Sequence, residues 1–188
     1  MGFFKKHFSL EKADETQDRE ERKLMKDLSL AVVGEFSRVF LDMGYNKPGV
    51  AFEGIILGMF LVTETYTLSN RDSAKSHLQL DEFHTDMNNY LFNEYKDEGG
   101  KSDIFSFRNE FYDKLGSRYK EYREAFNADK NKTVTILSKT MDAFLGHFLA
   151  EPISEYKKHH SIVPLSLKFL DIYNGMYELF MKRSLKRR

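Results

Sequence analysis

Val50-Ala51-Phe52-Glu53-Gly54-Ile55-Ile56-Leu57-Gly58-Met59-Phe60-Leu61-Val62 is the most apolar run of the chain, and Glu53 is its one ionisable residue. A membrane span needs about 20 such residues, so the run reads as a buried helix. It is apolar nearly all round, which places it at the centre of a helical bundle. Gly54 and Gly58 fall four apart on one face. Glycine inside a helix costs about 1 kcal/mol against alanine. Close approach of a neighbouring helix, from the same chain or a second subunit, is the natural compensation.

Working outward, this helix is expected over Pro48 to Leu68. Asn46 is its plausible cap, and Pro48 lies in its first turn. Before it, apolar spacing of three and four predicts a helix from Asp14 to Met43 with Leu24, Leu28, Val32, Phe36 and Val39 as its stripe. Beyond it, a third helix runs from Ser73 to Asp97 and ends at Gly99-Gly100. A fourth, capped by Ser102 or Asp103, reaches Asn127, and a fifth spans Lys132 to Glu151. Pro152 bends or ends that one, leaving a short helical piece to His160. Ser161 caps the last helix, with Pro164 in its first turn and Leu165, Phe169, Tyr173, Met176, Tyr177 and Phe180 facing inward. Alternating β-type runs are nearly absent. The fold class is therefore all-α: a single-domain bundle of about six main helices over 14–188. It has an N-terminal segment 1–13, docked or flexible, and a basic tail 182–188.

Composition narrows the function classes. The chain has 188 residues, 29 basic and 29 acidic, so neutrality removes the prior for wholesale nucleic-acid binding. The absence of cysteine excludes disulfides, Cys-ligated zinc, iron–sulfur clusters and thiol catalysis. The first eight residues carry no apolar core of a secretory signal, so a cytoplasmic location is expected. Phosphate-cradling glycine loops, a Gly-x-Ser-x-Gly elbow and a His-Glu-x-x-His element are all missing. No cofactor is expected.

Polar residues inside apolar stripes carry the remaining information, because an unpaired buried charge is costly. Glu53, Glu35 and Arg108 all fall there, with His147 on the edge of the fifth stripe. Arg108 is expected to neutralise Glu35 or Glu53 and lock two helices in register. If these four instead line a ligand pocket, it lies between the first, second and fourth helices. His77, Asp81 and His84 follow one helical strip and form a candidate metal set, although a ferritin-like centre would need two Glu-x-x-His elements. From Pro152 to Arg188 there are 8 basic residues against 3 acidic. Lys182, Arg183, Lys186, Arg187 and Arg188 form a candidate anionic-surface contact, for membrane or nucleic acid. Pairing with a helix C-terminus and with the acidic third helix is the favoured account of these cations.

Three functional readings follow. The first is a non-enzymatic protein-interaction or regulatory domain, self-associating as a homodimer, supported by the aromatic excess and by Phe3, Phe4 and Phe8. The second is a bundle that holds a small ligand or metal through buried polar residues. The third is a peripheral binder of anionic membrane or nucleic acid.

Overall fold

A computed structural model describes residues 2–43, 50–70, 74–95, 104–130, 137–148 and 155–186. Within these stretches, the side chains of 2–15, 50–52, 95, 104–108, 110–111, 130, 138, 148, 155–158 and 186 fall outside the description. Six helices are present: α1 Gly2–Asp42, α2 Val50–Asn70, α3 Ala74–Tyr95, α4 Ile104–Lys130, α5 Ser138–Phe148 and α6 Glu155–Lys186. They form one all-α bundle, without strands among the described residues. No described helix is long and apolar enough to cross a membrane.

α2 packs against each of the other five helices. Every residue from Glu53 to Tyr66 is buried except Glu64. An apolar helix of this length has no face to spare for solvent, and the remaining helices wrap it. Gly54 and Gly58 bring α1 alongside, with Val33 and Ser29 filling the space that larger side chains would need. Ser29 therefore sits in the core, its hydroxyl bonded to the Met25 carbonyl at 2.9 Å. The buried stripe of α1 is Met25, Ser29, Val32, Phe36 and Phe40, with Leu24, Leu28 and Val39 half-buried beside it. The stripe is rotated from the expected one because the tight crossing demands a small residue where apolar spacing favours Leu28.

Other boundaries shift for local reasons. α1 begins at Gly2 rather than Asp14, and no glycine or proline stands between Phe3 and Val33 to stop it. α6 is continuous through Pro164. Proline cannot donate to the carbonyl four residues back, but His159 and His160 are exposed there, where water can take the donor's place. Ser161 is consequently buried within α6 instead of capping it, and Tyr177, expected inside, is 37% exposed. The core unites Phe36, Phe60, Phe83, Phe144, Phe169 and Phe180 from all the major packing faces. Phe60 meets Tyr119 and Phe126 edge-on at 5.7 Å, while Tyr66 meets Phe180 at 5.3 Å.

Polar contacts fix the helix pairs in register. Arg22 of α1 reaches Glu82 and Gln79 of α3, and Lys75 pairs with Asp18 at 3.2 Å. Asp129, near the end of α4, is buried at the start of α5. It accepts hydrogen bonds from the Lys139 and Thr140 backbone N–H groups at 3.3 and 2.8 Å, and from the Thr140 hydroxyl at 2.9 Å. One carboxylate thus supplies the missing partners of a helix N-terminus from another helix.

Candidate functional site

Glu53 is 4% exposed, as its place in the apolar run implies. Its partners come from α4: the Arg118 Nε lies 3.3 Å from Oε1, and the Tyr122 hydroxyl donates to Oε2 at 3.0 Å. Burial and the adjacent carboxylate push the Tyr122 phenol well above its ordinary pKa. Arg118 also lies 3.7 Å from Glu121, whose other contact is the His147 Nε2 of α5 at 2.6 Å. Tyr122, Glu53, Arg118, Glu121 and His147 therefore form one continuous network that ties α2, α4 and α5 together.

Arg118 neutralises Glu53, while the side chain of Arg108, the expected partner of Glu35 or Glu53, lies outside the described residues. Arg118 stands between Leu115 and Tyr122 in the same apolar stripe, a spacing signal that could have found it. Glu35 is not buried. Its carboxylate is 36% exposed, faces α6 and pairs with Lys168, whose hydrogen bond holds the acid below its usual pKa. Glu35 and Glu53 consequently serve different helix pairs, and these two carboxylates of the expected α1, α2 and α4 pocket do not share a partner among the described residues.

The strip of His77, Asp81 and His84 is likewise not brought together. His77 and Asp81 are exposed, while His84 turns inward. Among the described residues no three His, Asp or Glu side chains are grouped to hold a metal ion. Of the terminal cations, Lys182 pairs with Glu178 at 3.4 Å along the helix and Arg183 is exposed. The side chains of Lys186, Arg187 and Arg188 lie outside the described residues, as do those of Phe3, Phe4 and Phe8.

The inward turn of His84 leads to a different site. An open groove of about 490 Å³ separates α3 from α4, within the range of small-molecule sites. Met59 of α2 and Leu115 of α4 give it apolar surface, and Tyr112 and Tyr119 add aromatic walls. His84 and Asn88, one helical turn apart on α3, face Lys120 and Arg123 of α4 across it. No acidic side chain lines it among the described residues.

Hydrogen bonds hold its centre rigid. The Thr63 hydroxyl donates to the Met59 carbonyl at 2.9 Å, and the Tyr119 hydroxyl donates to the same oxygen at 3.3 Å. With its proton committed, Thr63 Oγ1 accepts from His84 Nε2, 2.9 Å away. That assignment makes Nε2 the protonated nitrogen of a neutral ring. Burial depresses the His84 pKa, Asp81 opposes the shift and Arg123 adds to it. Burial also raises the Tyr119 phenol. Beside the groove, Asn88 Oδ1 is closed to solvent and has no hydrogen-bond partner among the described residues. Buried carbonyl oxygens of this kind are normally satisfied.

No family model matches the chain, and neither the curated proteins nor the solved structures contain a match to it.

Proposed function

We propose that this bundle is a small-molecule-binding protein and that the groove between α3 and α4 is its binding site. The observation that carries the reading is the combination of apolar and aromatic walls with the Lys120 and Arg123 cations in one groove. Apolar lining supplies most of a ligand's binding energy, and a few fixed polar groups orient it. Binding is favoured over turnover because the hydroxyl nearest to His84 is already committed. Thr63 gives its proton to a backbone carbonyl, so His84 has no proton to remove from it. The Glu53 network belongs to the architecture in this reading, since each of its charges has a partner of opposite sign.

Gly116 provides the test, because it lines the groove and a Cβ there would meet nothing within 4 Å. The neutral fluorophore N-phenyl-1-naphthylamine should bind the protein with saturable 1:1 stoichiometry. Gly116→Trp should abolish that binding with the thermal midpoint retained. Saturable binding that survives Gly116→Trp contradicts the reading.

Self-association has support from a second observation. Leu167 is 60% exposed at the rim of a cleft of about 450 Å³ between α1 and α6, where Val39, Met43 and Pro164 are bordered by Asp42, Lys168 and Asp171. Val163, one turn earlier, is also exposed. A homodimer through this face predicts a concentration-dependent mass by sedimentation that Leu167→Glu converts to monomer. A monomer at all concentrations rules it out.

A further inference from the structure

The groove's own chemistry defines the class of compound, an inference that rests on the binding reading above. Its charged lining is of one sign: Lys120 and Arg123, with a neutral His84 between the walls. Both cations are only lightly engaged. Arg123 Nε lies 3.4 Å from Glu64, with the Arg123 side chain 55% exposed, and Lys120 lies 3.9 Å from Glu124 with both side chains in solvent. The Lys120 pair is exposed and contributes little, and Arg123 is half in solvent although its partner Glu64 is only 16% exposed, so an incoming anion shares both cations without displacing Glu64. A guanidinium also offers a planar fork for a carboxylate, sulfonate or phosphate.

Along α4, Leu115, Tyr119 and Arg123 follow one another at one-turn spacing, and His84 of α3 meets Tyr119. Arg123 therefore lies one turn to one side of Tyr119 along α4, and Leu115 one turn to the other. Arg123 is also within 6.0 Å of the Tyr119 ring centroid, which draws the cationic end over an aromatic face.

We propose that the groove takes an anionic amphiphile of small-molecule size, its acid group at Lys120 and Arg123 and its aromatic or hydrocarbon body against Met59, Leu115 and Tyr119. A cation has no counter-charge in the lining, and a neutral apolar body leaves the positive end unanswered.

Two fluorophores separate the parts of this claim. 8-Anilinonaphthalene-1-sulfonate and N-phenyl-1-naphthylamine share the ring system and the N–H, and only the first carries a sulfonate. The sulfonate probe should bind 1:1 at least about tenfold more tightly, a difference that shrinks with added salt. Replacing Lys120 and Arg123 together by Gln should remove the difference without altering the neutral probe, and Arg123→Lys should restore part of it. Equal affinity for the two probes, unmoved by the Gln pair, overturns the anionic class while the groove stands as a binding site. Failure of both probes to bind, or binding indifferent to Gly116→Trp, overturns the groove itself and this inference with it.

Discussion

Gly58 of α2 lies so close to the backbone of Ser29 in α1 that a Cβ on it would stand 2.3 Å from the Ser29 carbonyl oxygen. No flexible side chain is available to yield there; the obstacle is helix backbone. Gly58→Ala should therefore separate α1 from α2 and destabilise the fold by about 2–4 kcal/mol, despite alanine's better helix propensity of about 1 kcal/mol. Gly175→Ala in α6 is the control. A Cβ there meets nothing within 4 Å, and the change should stabilise by about 0.5–1 kcal/mol. Urea denaturation of the two variants gives opposite shifts in midpoint if the crossing is as tight as described.

The Glu53 network predicts strong coupling. Arg118→Met leaves a buried carboxylate without its cation and should cost about 3–5 kcal/mol, while Tyr122→Phe removes one charge-assisted hydrogen bond, about 1.5–3 kcal/mol. Glu53→Met combined with Arg118→Met removes both charges and should be much milder than Arg118→Met alone. A double-mutant cycle in urea measures the coupling, and additive effects would contradict a shared network.

Asp129 should control α5. Asp129→Ala removes three acceptor contacts at the start of that helix and should cost about 1–2 kcal/mol. The loss should appear as faster amide exchange at Lys139, Thr140 and Met141, with the centre of α2 still protected. Uniform acceleration across the chain would instead indicate a change in global stability.

His84 gives stability a pH dependence of defined sign. Burial holds its folded pKa below the ordinary 6.5, so the unfolded chain binds the proton first as pH falls. Its contribution is complete above pH 6.5 and is lost as pH falls through 6.5 toward the lowered folded value. Glu35, also lowered, acts separately, below 4.5. Urea midpoints measured from about pH 8 to about pH 5 should fall in the parent protein and fall less in His84→Gln. An identical slope in both would show that His84 titrates alike in the folded and unfolded chains.

Much of the bundle was legible in the sequence because its determinants are local. The apolar run of α2, the glycines facing α1, and the inward positions Phe83, Met87, Leu91, Leu115, Tyr122, Phe126 and Phe144 all follow from helical spacing. The seat of Ser29 did not, because its burial depends on which residue of α2 crosses it. That Arg118 meets Glu53 depends on how far α4 is slid along α2, a distance that no single helix encodes. The groove was half legible. Spacing places His84 on one strip with His77 and Asp81, but it does not reveal that Tyr119 and Thr63 enclose it. Lys120 and Arg123 gain their meaning only from the groove that α3 and α4 form together, which no spacing within α4 announces.

The central claim is that the groove between α3 and α4 receives a ligand. Methyl-labelled protein titrated with 8-anilinonaphthalene-1-sulfonate tests it most directly by NMR. The account predicts intermolecular NOEs from the probe to the Met59 and Leu115 methyl groups, with Leu167 and Val163 unmoved. Contacts confined to Leu167 and Val163, with Met59 and Leu115 unchanged, would contradict it.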